Sequence, residues 1–284
     1  MIDLHTHTIF SDGTTTPEEN AALAAQAGLA GLALTDHDTM DGWPRMAAAC
    51  QAHHLLFVPG IEFSSELAGQ SVHLLGYGID PDHPPLRDEC IRLRGERERR
   101  GRIMVERLVA SGAPITWDRV AELAGRAPIG RPHMAAALIE AGVVADIDAA
   151  FAGPLADDSA IYEPKQALMP EAAIRLLVEA GGVVVLAHPG LTFPDLEAFR
   201  GILQGLITAG LAGLECDHPG HDAQTQIGWE QLAGEFGLLS TGASDFHGEA
   251  KQVRIGARAT SPEVVNALRE RSTGGVRWQV QRND

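Results

Sequence analysis

The chain is short of several residue classes, and each shortage excludes something. Its 284 residues hold 3 cysteines, Cys50, Cys90 and Cys216, with no Cys-x-x-Cys pair among them. An odd and scattered set does not make a disulfide framework and reads as three reduced structural thiols. No run approaches the about 18 apolar residues of a membrane span. The start of the chain lacks a basic segment followed by an apolar one, so no secretory signal is expected. These absences predict a cytoplasmic protein with no membrane partner. Aromatic residues make up only 5% of the chain, too few for extended base stacking along a nucleic-acid strand. Basic residues are outnumbered 22 to 38, and the formal net charge of -16 disfavours a broad grip on duplex DNA. A local basic pocket for a small phosphorylated ligand is compatible with that total, because fields are set locally.

What is present begins with length and apolar content. Hydrophobic residues make up 45% of the chain, enough for a sizeable core in one large α/β domain or a domain with an insertion. Residues 2–8, IDLHTHT, alternate with the period of a strand, placing Ile2, Leu4, Thr6 and Thr8 on one face and Asp3, His5 and His7 on the other. A helix follows, with Thr16 as N-cap, Pro17 at the first helical position, Glu19 three residues after the cap and Gly28 past the end. The pattern then recurs. GLALT ends in Asp36-His37-Asp38, LLFVPGIEFS carries Glu62, VHLLGYGI begins with His73, VVVLAHPG ends at His188, and LLSTGASDFHG ends at Asp245 and His247. Strands alternating with helices predict a parallel sheet. Six or seven such units suggest a closed or nearly closed (β/α) barrel.

One region breaks the rhythm. From about Asp80 to Glu163 no strong apolar strand occurs. A long helix runs through RDECIRLRGERERRGRIMVERLVASG, and further helices are expected around 117–125, 131–141 and 146–151. The expected organisation is therefore a barrel over 1–80 and 165–284, interrupted by a helical insertion over 81–164 that caps the substrate.

His5, His7, Asp12, His37, Glu62, His73, His188, Asp245 and His247 nearly all sit at or just past the end of an apolar run. In a (β/α) barrel those ends converge on the face where active sites lie. Imidazoles and carboxylates without thiolates suit zinc, manganese or iron better than calcium. His5 and His7, two apart on a strand, can grip one ion, and a carboxylate such as Glu62 can bridge two. Asp245 and His247 repeat the i, i+2 spacing. Nine candidates exceed the roughly four to six positions of one ion and suit two or three.

The motifs DLHTHTIFSDG, LTDHDT, GIEFS, VHLLGYG, AHPG and SDFHG resemble, in order, those of the PHP (polymerase and histidinol phosphatase) family, within the wider amidohydrolase-like superfamily. The likeness spans residues 1–79 and about 165–250. It implies a distorted (β/α)7 barrel, phosphoesterase chemistry and two to three divalent ions, manganese first, with zinc and iron as alternatives. Carried over motif by motif, His5, His7, Glu62 and Asp245 would hold one ion, Glu62, His73 and His188 a second, and Asp12, His37 and His247 a third. Relatives commonly have histidine where Asp12 stands, which implies a third site weaker or differently occupied here. Asp36 and Asp38 read as groups that orient or cap a ligand. Asp245, His188 and His247 are the expected catalytic groups, for hydroxide attack on phosphorus with the ester oxygen leaving toward a metal or a protonated histidine.

The insertion bears on the substrate. Arginines 92, 94, 97, 99, 100, 102 and 107 crowd one helix. Pairing with Glu96, Glu98 and Glu106 explains part of this. The rest suits a phosphate-binding wall that includes Arg99 and Arg102. Arg131 and His133 lie near a helix start, where backbone N–H groups favour anions. Lys165 is one of only two lysines. Tyr77 is a candidate for stacking one base, and His221, with His218, for touching substrate. A barrel carrying this insertion resembles the branch of the family that contains nucleoside 3′,5′-bisphosphate phosphatases and 5′-to-3′ exoribonucleases of short RNA. That resemblance implies removal of the 3′-phosphate of adenosine 3′,5′-bisphosphate, leaving AMP. Two alternatives stay open: a small-metabolite phosphatase, such as one acting on histidinol phosphate, and a metal-stabilised scaffold without catalysis.

Overall fold

The computed structural model describes residues 1–125, 129–156, 158–276 and 278. The chain divides into two compact units, Met1–Cys90 with Ala167–Asp284, and Ile91–Gln166. The first division falls at Cys90 rather than at Asp80. It lies inside one continuous helix whose early residues Leu86 and Cys90 are buried.

The first unit is the barrel. Its strands are β1 (Ile2–Asp3), β2 (Gly31–Leu34), β3 (Leu56–Leu67), β4 (Gln70–Tyr77), β5 (Val183–Leu186), β6 (Leu211–Asp217) and β7 (Leu239–Gly242), joined side by side in that order. Around them lie α1 (Pro17–Gln26), α2 (Trp43–Ala52) and the start of α3 (Pro84–Ala110). After the second unit, which carries α4 (Trp117–Ala124), α5 (Arg131–Glu140) and α6 (Ile147–Ala152), come α7 (Pro170–Glu179), α8 (Pro189–Thr192), α9 (Leu196–Ala209), α10 (Ala223–Glu235) and α11 (Pro262–Arg271). The capping expected for α1 is present: Thr16 Oγ1 accepts from Glu19 N at 3.2 Å and Glu19 Oε2 accepts from Thr16 N at 2.7 Å. Strands β2 and β5 are buried along their whole length, as strands covered on both faces must be.

The sheet departs from uniform parallel winding at one strand. β4 pairs antiparallel with both β3 and β5, whereas the other neighbours run parallel. The cause is local. β3 turns back through Ala68 and Gly69, both at positive φ, 52° and 86°. Two left-handed residues make the tight hairpin whose twist matches its strands. A two-residue link cannot hold the crossover of about a dozen residues that a parallel neighbour needs.

The seam between β1 and β7 closes without a continuous ladder. His7 N donates to the Phe246 carbonyl at 2.8 Å, and Ile2 and Thr260 exchange backbone bonds of 2.9 and 2.8 Å. The buried Asp3 carboxylate reinforces it, accepting from Ser244 N at 3.0 Å, Ser244 Oγ at 2.5 Å and Gly256 N at 2.7 Å. Ile2, Leu4, Val58, Leu75, Tyr77 and Val185 belong to the apolar cluster of this unit.

The second unit comprises the rest of α3 with α4 (Trp117–Ala124), α5 (Arg131–Glu140) and α6 (Ile147–Ala152). Its own core gathers Met104, Leu108, Val120, Met134, Leu138 and Leu155. Among the described residues no helix is long and apolar enough to cross a membrane.

Candidate metal centre

The polar residues at the strand ends meet at one mouth of the barrel unit. His5 and His7 follow β1, Glu62 lies in β3, and Asp245 follows β7; their side chains are almost fully buried. The Nε2 atoms of His5 and His7 lie 3.0 Å apart. Glu62 Oε2 is 3.1 and 3.0 Å from them, and Asp245 Oδ1 is 3.4 Å from each. Ligand bonds of about 2.1 Å in tetrahedral or octahedral geometry set neighbouring ligands about 3.0–3.4 Å apart. The hydrogen-bond pattern agrees. His5 Nδ1 lies 3.0 Å from Glu215 Oε1, which can only accept, so Nδ1 carries the proton and Nε2 presents a lone pair. That lone pair faces two carboxylates. Acceptors converging in a buried space fit a cation.

Two further groups adjoin. His7, Asp12, His37 and His247 form one, with Asp12 Oδ1 3.3 Å from His247 Nε2 and Oδ2 3.5 Å from His37 Nε2. His37, Glu62 and His73 form the other. Glu62 Oε1 is 2.8 Å from His73 Nδ1 and 3.1 Å from His188 Nε2, while Oε2 is 3.3 Å from His37 Nδ1. One carboxylate thus touches five imidazoles, the arrangement of a bridging ligand. His188 reaches the cluster through Glu62, and the compact trio contains His37 in its place. The antiparallel β4 explains His73: it stands near the start of its strand, directly opposite Ser64, and so reaches the mouth where the parallel strands end.

Electrostatics points the same way. Burial opposes a charge on His5, yet Glu215, Glu62 and Asp245 hold its pKa well above the usual value. Burial likewise opposes charging of His7, but Asp245 and Glu62 push it up to about 9. Burial works against ionised Asp12, Glu62 and Asp245, and the surrounding imidazoles still hold all three well below the carboxylate range. Such a set favours positive charge at its centre. Backbone strain concentrates here too: Asp38, His188 and Asp245 have φ of 53°, 27° and 52°, a conformation that costs about 1–3 kcal/mol for a non-glycine residue.

Asp36 is spent on hydrogen bonds from Thr8 N, Thr8 Oγ1 and Ser11 Oγ at 2.8, 2.7 and 2.6 Å. Asp38 accepts from Ser64 N and Oγ, both at 2.8 Å.

Several expected substrate contacts are placed otherwise. Tyr77 cannot stack a base: its side chain is 0% exposed in the barrel core, and its hydroxyl donates to the Leu4 carbonyl at 2.9 Å. His221 is committed to the backbone. Its Nδ1 donates to the Cys216 carbonyl at 2.8 Å and its Nε2 accepts from Gly190 N at 3.0 Å, so it braces the turn after His188. In the second unit, Arg99 forks onto Glu96 at 2.7 Å and also meets Glu163 at 3.1 Å, while Arg102 pairs with Glu98 at 2.9 Å and covers Trp117. Arg131 opens α5, donates to the Leu155 carbonyl at 3.1 Å and lies 5.3 Å from the rings of both Phe151 and Tyr162. His133 Nδ1 accepts from Gly130 N at 3.1 Å, capping the same helix. Lys165 stands half-buried in the irregular segment before α7.

Two residues at the site, Glu215 and Lys251, escape sequence reasoning, while His218, expected to touch substrate, lies against Asp245. Glu215, fully buried in β6, accepts from His5 Nδ1 and from His188 N at 2.7 Å. His218 Nε2 lies 3.3 Å from Asp245 Oδ2, and Lys251 Nζ reaches that same oxygen. A carboxylate inside the apolar strand LAGLECD was the available signal for the first, and the rarity of lysine for the last.

A family model described as the PHP domain matches residues 3–98. Over 94% of this chain and 92% of the relative, the sequence is 32% identical to a Salmonella typhimurium protein named 5′-3′ exoribonuclease Rnm. It is 33% identical, over 87% of both chains, to a Chromobacterium violaceum protein named 3′,5′-nucleoside bisphosphate phosphatase. A solved structure from Bifidobacterium adolescentis, provisionally described as a metal-dependent phosphoesterase, superposes with a TM-score of 0.86 at 35% identity over 96% of both chains.

Proposed function

The chain belongs to the PHP domain family and is a hydrolase of phosphate esters; on that premise we propose that it removes the 3′-phosphate of nucleoside 3′,5′-bisphosphates, using two to three divalent ions with manganese preferred. We assign the ions to His5, His7, Asp12, His37, Glu62, His73, His188, Asp245 and His247, and the reacting end of the substrate to Asp245, His188 and His247. Bound ions supply Lewis-acid activation of water and neutralise charge developing at phosphorus. The protein's own groups hold the geometry. His247 Nδ1 donates to the Asp245 carbonyl at 2.8 Å, which leaves Nε2 free to face the cluster. Burial of Glu62 and Asp245 excludes water that would screen them.

The observation that carries the substrate reading is a crowd of like charge in the second unit. Burial depresses the pKa of Arg100; Tyr162 and Glu96 work against this, and nearby Arg131 and Arg97 add to it. Cations held together against their own repulsion suit an anion, and Arg forks match phosphate oxygens. We assign recognition of the non-reacting phosphate to Arg131 and Arg100 with His133 and Lys165. Arg99 and Arg102 serve instead to hold α3 to its glutamates. The same logic accommodates a short 5′-phosphorylated RNA, since both substrates present a 3′-phosphoester near a 5′-phosphate.

The test is phosphate release by manganese-loaded protein from adenosine 3′,5′-bisphosphate, 3′-AMP, 5′-AMP and histidinol phosphate, with nucleotide products scored for a 5′-phosphorylated short RNA. Preference for the bisphosphate with AMP as product supports the proposal. Preference for RNA keeps the second-phosphate site and changes the main substrate. Preference for histidinol phosphate overturns the role of the arginines. No turnover with metals bound favours the scaffold.

A further inference from the structure

We propose that Glu215 is a positioning residue of the metal centre, setting the proton of His5 on Nδ1 and pinning the main chain of His188, so that both present the correct atom to the cluster. The inference rests on the metal-site reading above and is independent of which phosphate ester is cleaved.

Glu215 is 0% exposed, and each of its oxygens has a fixed donor. Oε1 accepts from His5 Nδ1 at 3.0 Å and Oε2 from His188 N at 2.7 Å. Both oxygens are thereby turned away from ligand duty. A carboxylate behind a histidine fixes the ring's tautomer and orientation and raises its basicity. His5 needs this because its Nε2 is the atom that meets His7, Glu62 and Asp245 in the cluster. His188 needs it for another reason. It sits at φ 27° before the four-residue helix α8, a strained position that persists only if its surroundings over-determine it. Glu215 fastens the N–H of that residue while Glu62 Oε1 meets its ring at 3.1 Å.

The neighbouring imidazoles are set by other means. His7 Nδ1 lies 3.3 Å from Ser11 Oγ, which donates to Asp36 at 2.6 Å. His247 uses the Asp245 carbonyl. Glu215 differs from these in serving two site residues whose strands lie apart in the sheet, β1 and β5.

The substitution E215Q keeps the shape and reverses the logic. The His188 N–H is a fixed donor and takes the glutamine carbonyl oxygen. The amide NH2 must then face His5 Nδ1, which is forced to accept and to carry its proton on Nε2. That proton points into the metal site. Affinity for zinc and manganese, read by competition with a chelator, is expected to fall about 10–100-fold. In the zinc-loaded wild type, histidine NMR should show a low-field Nδ1–H resonance from His5, absent in E215Q. In a His5→Ala background, E215Q should add much less to the loss than it causes alone. Wild-type affinity in E215Q, full additivity with His5→Ala, or a His5 that carries no proton on Nδ1 in the zinc-loaded wild type would each overturn the assignment. The last readout needs no variant, so a poorly folding E215Q does not shield the proposal. A wild-type protein that binds no divalent ion overturns the metal site itself, an outcome distinct from the other three.

Discussion

Asp3→Asn isolates the barrel seam and has a calculable pH signature. Burial pushes the Asp3 carboxyl up to about 6 from 3.8, although hydrogen bonds from Ser244, Gly256 and His5 oppose the rise. The folded chain therefore holds this proton more tightly than the unfolded one. The resulting stability is full below the unfolded value and is lost as pH rises through about 6. The displacement is worth about 3 kcal/mol over its whole range, of which about 1 kcal/mol falls between pH 5 and pH 8. Asparagine keeps the volume and does not titrate. Its carbonyl can still accept from Ser244 N, and the Ser244 hydroxyl can rotate. The Gly256 N–H, 2.7 Å from Oδ2, cannot, and it would meet an N–H2 group. That buried donor clash costs about 1–3 kcal/mol. The measurement is urea unfolding of chelator-treated wild type and D3N at both pH values. The stability gap, wild type minus variant, should be wider at pH 5 than at pH 8 by about 1 kcal/mol. Asp36, also pushed up to about 6 by burial, contributes equally to both proteins and cancels. A gap that is constant, or that widens with rising pH, refutes the reasoning.

Other changes separate the roles of the remaining groups. His7→Ala and Asp245→Ala should each lower turnover by more than the roughly 100-fold that loss of an outer metal partner costs, with the circular dichroism spectrum preserved; normal turnover in both would sink the metal assignment. Arg131→Ala should lower kcat/KM for the bisphosphate about 10–150-fold, the worth of one charged hydrogen bond, while barely affecting a monophosphate. Equal losses on both substrates contradict recognition of a second phosphate. Tyr77→Phe leaves the buried Leu4 carbonyl without its donor and should cost about 1–3 kcal/mol in thermal or urea unfolding. KM should not move, and a raised KM would restore Tyr77 to the substrate.

The residues of the cluster are readable because they combine two strong signals, a residue type and a place at the end of an apolar run. His5 and His7 show both, as do Asp245 and His247. Strand direction was harder. Period-two alternation is identical in parallel and antiparallel strands, so β4 could not be oriented from VHLLGYGI. Ala68-Gly69 is a weaker turn signature than Asn-Gly, and the hairpin stayed hidden. Tyr77 was misread because an aromatic near a cluster of ligands looks the same in sequence whether it faces substrate or core. Burial decides, and burial depends on strands that pack from far along the chain. Glu215 carried a real signal, a charge within an apolar strand, but its two partners lie 210 and 27 residues away. No local pattern encodes them.

The seam across Asp3 also bears on how the protein is made. Asp3 meets Ser244 and Gly256 over 241 and 253 positions of chain. During synthesis His5 and His7 emerge well before Asp245, so the cluster cannot be completed until the segment after β7 has left the ribosome. Contacts this distant slow folding, because the entropy of closing the loop is spent before any of them forms. The long helical unit between β4 and β5 draws its own core from within residues 104–162, a far shorter span, and can order earlier. The helical unit can thus hold its own core while the residues that make the cluster are still far apart along the growing chain.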